Sequence, residues 1–136
     1  MDGELILVTE VPIGVPCRTR LWFSERVAKE LESLREGRFE IKLKRCCQSG
    51  LSAYEGVVPP VIKHYRDGVC RIGFVFSLFR IIGFYVDGSS KQEFICIDAF
   101  KKRGQKLSAS ERRRIDVVVD IKINKRWRKN EYPRLA

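Results

Sequence analysis

The chain has 136 residues, 44% of them hydrophobic, and its 27 Lys/Arg against 17 Asp/Glu give a net charge of +10. That length suits a single domain with one core, and no run approaches the roughly 18 unbroken apolar residues of a membrane-spanning helix. The acidic opening Met1-Asp2-Gly3-Glu4 lacks a basic leader, so no secretory signal and a cytoplasmic location are expected.

Leu5 to Val8 reads as a short strand or arm, broken by Pro12, Gly14 and Pro16, and Cys17 to Phe23 as a second strand. Ser24 is a good N-cap for a helix to about Glu36, with Val27, Leu31 and Leu34 at helical spacing and Gly37 ending it. Residues 38–48 fit two patterns. Phe39, Ile41 and Leu43 alternate as in a strand, whereas Phe39, Leu43, Cys46 and Cys47 would share one helix face. Local pattern leans to the strand.

Residues 50–60 read as a loop ending in Pro59-Pro60. Residues 69–76, 79–86 and 93–99 are rich in β-branched and aromatic side chains and predict three strands. Asp87-Gly88-Ser89-Ser90 supplies a hairpin turn between the last two, while the join at Ser77-Leu78 has no comparable turn chemistry. A closing helix begins near Ser108 or Ser110 with Glu111 early in it, and ends before Tyr132-Pro133. Val117-Val118-Val119 would suit a further strand equally. The expected fold is α+β, with helices packed on one face of an antiparallel meander.

The five cysteines, Cys17, Cys46, Cys47, Cys70 and Cys96, are odd in number and lack Cys-x-x-Cys spacing, and His64 is the single histidine. Buried structural thiols are therefore expected, with no disulfide framework, metal site or cofactor. The positive charge is unevenly spread. Residues 101–136 hold 13 Lys/Arg against 4 Asp/Glu, and residues 1–100 hold 14 against 13. Such a block faces a polyanion more often than it solvates a surface, and that polyanion is either a phosphate backbone or an acidic protein.

Metal-free RNA cleavage needs a 2′-hydroxyl deprotonated, charge on the phosphoryl oxygens neutralised and the leaving 5′-oxygen protonated. Two clusters offer such groups. One is Lys63, His64, Tyr65 and Arg66 leading to Arg71; the other is Lys101, Lys102, Arg103 and Lys106 after the last strand. In a meander these two could share an edge. His64 is the side chain whose unperturbed pKa suits proton transfer near neutrality, although an exposed loop histidine would look the same. Arg71 and Arg80 lie in otherwise apolar strands, where a sheet-edge or salt-bridged arginine is the bland alternative.

The stretch from Val61 to Ile115 resembles the RelE/HigB-like toxins of toxin–antitoxin modules, particularly their phage-derived branch. The resemblance rests on Lys63-His64-Tyr65-Arg66-Asp67-Gly68, the strand Val69 to Phe76, Phe79-Arg80-Ile81-Ile82, Tyr85-Val86-Asp87-Gly88, and Phe100-Lys101-Lys102-Arg103-Gly104-Gln105-Lys106. It implies a RelE-like fold, a small antiparallel sheet with N-terminal helices on one face and a basic C-terminal helix, and it tips residues 38–48 toward helix. It further implies one toxin domain over 1–136, with 116–136 as a basic extension. The implied activity is ribosome-dependent endoribonuclease cleavage of mRNA, neutralised by a cognate antitoxin. By position, His64, Arg71, Arg80 and Lys102 become the catalytic candidates. Lys63, Arg66, Lys101, Arg103, Lys106, Arg112 and Arg113 become the RNA-binding ones. Gly73 departs from the family, many of whose members carry Lys or Arg there. A non-catalytic RNA- or DNA-binding module and a protein-interaction domain holding an acidic partner are the competing readings.

Overall fold

The structure, a computed structural model, describes residues 4–34, 37–87, 91–104 and 106–130. The chain opens with an antiparallel hairpin of β1 (Ile6–Val11) and β2 (Thr19–Ser24), in register Val8↔Ser24 to Val11↔Leu21. Ser24 ends β2 and caps α1 (Glu25–Ser33). Its hydroxyl accepts from Val27 N at 3.1 Å and donates to Ile97 O at 2.8 Å, which fixes the helix against the sheet.

Residues 38–48 are helical. In α2 (Gly37–Ser49), Phe39, Leu43, Cys46 and Cys47 are buried along one face, the i, i+4, i+7, i+8 pattern of a helix on a core. Gly37 opens this helix, whereas the sequence had suggested that it would close the one before. A 3-10 turn (Leu51–Tyr54) leads toward β3 (Ile62–His64), a short strand that the sequence reading missed. Then follow β4 (Val69–Gly73), β5 (Phe79–Asp87) and β6 (Gln92–Lys101), so that β3 to β6 pair in succession, each antiparallel to the one before. The expected turn residues 88–90 lie outside the described residues.

β4 stops three residues short of the expected Phe76, because Ser77 N donates back to Phe74 O and turns the chain. That turn has no Gly, Pro or Asn. Arg80 supplies the missing support, donating from Nη1 to Ser77 O at 2.7 Å and to Phe79 O at 2.9 Å. Gly83 sits at a register shift in β5, where a Cβ would come within 2.0 Å of Ile95 O.

The last helix, α3 (Ala109–Ile123), begins with a capping box: Glu111 N donates to the Ser108 hydroxyl and Ser108 N to the Glu111 carboxylate. Val117 to Val119 belong to this helix. It stops at Ile123, and the chain forms one more strand, β7 (Trp127–Lys129), which runs parallel to β1. Residue 116 thus falls inside α3, and part of the predicted basic extension is built into the sheet.

Strand order is β3-β4-β5-β6-β2-β1-β7. The small antiparallel sheet expected from the family resemblance is therefore wrong in size and in kind. The meander accounts for four strands. Parallel pairing of β2 with β6 attaches the N-terminal hairpin, and parallel pairing of β7 with β1 adds the seventh strand. The helices also divide between the two faces. α1 and α2 cover one core, built with Leu21, Ile72, Ile81, Phe94 and Cys96, while α3 covers the other, built with Trp22, Ile82, Phe84, Ile95 and Phe100. Burial on both faces explains why β5 and β6 read as nearly continuous apolar runs.

Candidate nucleic-acid interface

Strand alternation decides which basic groups meet. On β3 and β4, Ile62, His64, Cys70 and Ile72 turn toward α2, so Lys63 and Arg71, which are paired in register, turn toward α3. Arg80 on β5 faces the same way, directly opposite Gly73. Lys102 follows β6, where its amide N donates to Leu78 O at 2.8 Å. Gly73 is the floor between the arginines. A Cβ there would lie 2.6 Å from Arg71 Nη1 and 2.9 Å from Arg80 Nε, so the two side chains run side by side over bare backbone.

The electrostatics of this corner are those of crowded like charges. Burial, and then the neighbouring Arg71, lower the pKa of Arg80. Lys102 is lowered by partial burial and by Arg80, Arg71 and Lys63. Among the described residues Arg71 and Arg80 make no ion pair. Tyr65 packs beside them. Burial pushes its phenol up, while Arg71 and Arg80 pull the other way. A carboxylate with an electrostatic effect on both Tyr65 and Lys102 is Glu111. It is already held by Ser108 N at 2.9 Å and Arg103 N at 3.3 Å, and these bonds keep its carboxyl below the usual range. Arg71 and Arg80 thus sit as crowded like charges with no ion pair among the described residues.

Of the predicted catalytic set, Arg71, Arg80 and Lys102 come together with Lys63. His64 does not join them. It faces the α2 side, with Nε2 on the Glu55 carboxylate and Nδ1 3.2 Å from Cys70 Sγ. Arg66 is occupied by Asp67 at 2.7 Å and Asp116 at 2.6 Å. Lys101 pairs with Phe79 and by alternation projects opposite to Phe100, away from the cluster. Arg103 and Lys106 are exposed in the segment before α3. Arg112 and Arg113 are exposed on α3, Arg112 lining a shallow groove with Tyr65. Gln105 lies outside the described residues.

Much of the C-terminal charge is compensated internally. Arg114 holds Asp98 through Nε at 2.9 Å and Nη2 at 2.7 Å, Arg126 holds Asp120, and Lys129 holds Glu93. Asp98 and Glu93 lie outside the block, on β6, so the local charge imbalance overstated the free positive surface. Tyr65, named in the first cluster without a role, shares the face of Lys63 because the two are two residues apart. One set of residues was missed. Arg38, Lys42 and Arg45 form an i, i+4, i+7 stripe on α2 and line one groove with Arg71 and Arg80.

Among the described residues no helix is long and apolar enough to cross a membrane, and no group of three or more His, Cys, Asp or Glu is arranged to hold a metal ion. The five cysteines are free thiols, four of them buried. No protein-family model, curated protein or solved structure matches the chain. The RelE/HigB-like resemblance therefore rests on the quoted residues alone.

Proposed function

We propose that this chain is an endoribonuclease that binds single-stranded RNA, mRNA above all, at the corner formed by Lys63, Arg71, Arg80 and Lys102. The observation that carries the reading is four cations on one sheet face, two of them guanidinium groups side by side over Gly73 that have no ion pair among the described residues. A phosphodiester supplies the missing negative charge, and Arg71 and Arg80 can each donate to its non-bridging oxygens. In cleavage, the 2′-oxygen attacks phosphorus and gives up its proton to solvent, and the P–O5′ bond breaks. Lys102, made more acidic by partial burial and by its cationic neighbours, protonates the departing 5′-oxygen. The products are a 2′,3′-cyclic phosphate and a 5′-hydroxyl. Arg71 and Arg80 stabilise the charge that grows on the phosphoryl oxygens. His64 has no part in this reading.

A toxin role follows the same chemistry: an antitoxin whose acidic segment covers the cluster would silence it. A non-catalytic RNA-binding role is favoured by one observation, the engagement of Glu111 as a helix cap, which leaves the corner without a committed carboxylate base. Incubation of labelled RNA with the protein in a chelator, with and without ribosomes, separates these readings. Cleavage to cyclic-phosphate ends, reduced about 10²-fold by Arg80→Ala and by Lys102→Ala, is the expected result. Binding without cleavage selects the second reading. Absence of both rejects the RNA reading altogether.

A further inference from the structure

The cationic corner is continuous with an open groove of about 450 Å³, where α2, the approach to β3 and the β4–β5 turn meet. Its wall carries Arg38, Lys42 and Arg45 from α2, and its far end is closed by Arg71 and Arg80 of the cluster. Among the described residues no carboxylate lines it. Its floor is different in kind from the cluster, because it is aromatic. The Phe76 ring lies parallel to Phe74, with centroids 5.5 Å apart and planes inclined by 4°, and the Arg38 guanidinium sits over Phe76 at 4.1 Å from the ring centre. Val75, 79% exposed, and Pro59 and Pro60 complete an apolar rim.

We infer that this groove is a nucleobase subsite: one base of a single-stranded RNA stacks on the Arg38–Phe76 platform, and its flanking phosphates lie between the α2 stripe and the Arg71–Arg80 pair. The inference rests on the RNA reading above and adds to it a place where the base, and not only the backbone, is held. Charge selects the occupant. Lys42, Arg45, Arg71 and Arg80, with no carboxylate among the described lining residues, call for a polyanion, and the Arg38 guanidinium over the Phe76 ring suits a planar heterocycle, since bases stack on aromatic and guanidinium faces alike. An acidic peptide would satisfy the cations and leave the platform unused. The volume is within the range of small-ligand pockets, about 300–1,000 Å³. Because stacking reads the π-face and not the base edges, such a subsite favours bases over their absence while discriminating weakly among them.

The test is fluorescence anisotropy of the full chain with two probes of equal length, a labelled oligouridylate and an abasic ribose-phosphate strand. The wild type binds the oligouridylate more tightly. Arg38→Lys keeps the charge and loses the plane, and Phe76→Leu keeps the apolar volume and loses the ring. Each weakens oligouridylate binding by about 10-fold and changes abasic binding by less than about 2-fold. Arg45→Ala weakens both probes together. Equal losses on both probes in Arg38→Lys and Phe76→Leu, or no loss in either, overturn the subsite. If Arg80→Ala still abolishes binding in that case, the RNA reading stands alone. A wild type that binds neither probe overturns both. Polyglutamate that binds more tightly than oligouridylate, with losses in the same two variants, assigns the groove to a protein segment and also overturns the inference.

Discussion

Gly73→Ala offers a perturbation that separates the fold from the site. The added methyl would meet Arg71 Nη1 at 2.6 Å, Arg80 Cδ at 2.7 Å and Arg80 Nε at 2.9 Å, so both side chains must withdraw. No backbone atom is among these three, and Gly73 has no positive φ, so the strand itself accepts alanine. Replacing a strand glycine gains about 0.5–1 kcal/mol of backbone entropy. Against this, Arg80 leaves its rotamer, at about 0.5–1.5 kcal/mol, and strains its bonds to Ser77 O and Phe79 O, worth about 1 kcal/mol each. The net destabilisation is about 1 kcal/mol, rising to about 3 if both bonds are lost. Misplacing two donors to the phosphoryl oxygens costs about 3 kcal/mol in the transition state, or about 10²-fold in rate. Gly104→Ala is the control, because a Cβ there meets nothing within 4 Å. Single-turnover cleavage and urea unfolding of both variants supply the comparison. Wild-type cleavage by Gly73→Ala, or a rate loss fully matched by unfolding, would refute the geometry assigned to the corner.

Ser108→Ala removes the acceptor for Glu111 N and lowers stability by about 1 kcal/mol in urea unfolding; an unchanged midpoint would show that the capping box contributes nothing. Glu93→Gln leaves Arg20 and Lys129 facing a neutral amide in a buried position and costs about 2–4 kcal/mol, with faster amide exchange in β7. Equal exchange in β7 would mean that Lys129 does not hold the strand. Burial pushes the Cys47 and Cys70 thiols up to about 12, above their ordinary value of 9.0. Below pH 9 both states keep these protons. Above it the unfolded chain loses them while the folded one retains them, so stability falls by about 1.4 kcal/mol per thiol per pH unit until about pH 12. Urea midpoints that stay level from about pH 8 to about pH 10.5, or a slope that Cys70→Ala does not reduce, would contradict this linkage.

What the sequence revealed was local. The Ser24 and Ser108 caps and the β5 and β6 strands depend on residues within a few positions, and all appear where the pattern put them. The α2 face is equally local, but there the family resemblance, and not the pattern alone, tipped the choice to helix. What it hid was pairing at a distance. β7 is only three residues long and exists because β1 offers it a free edge, which no window around Trp127 contains. The charge block at the C-terminus looked uncompensated because Glu93 and Asp98, its partners, lie on β6. At the site, Arg71, Arg80 and Lys102 were legible as basic groups in or beside apolar strands. His64 was misplaced for a different reason: without β3, nothing indicated that it and Lys63 point to opposite faces.

The parallel contact of β2 with β6 has a consequence for how the molecule assembles. The N-terminal hairpin and the β3–β6 meander each form from neighbouring stretches, whereas Thr19 and Gln92, partners across the joint, are 73 residues apart. Loop closure grows more costly with separation, by about 0.6 kcal/mol for each doubling of length, and distant pairings come late. Contact order therefore favours the two halves acquiring shape before they meet, and β7 can add only once β1 is in place to pair with it. The cationic corner lies wholly within the meander and at the N-terminus of α3, so its strands are set in the early half. The groove beside it waits for α2, which reaches the sheet from the other half.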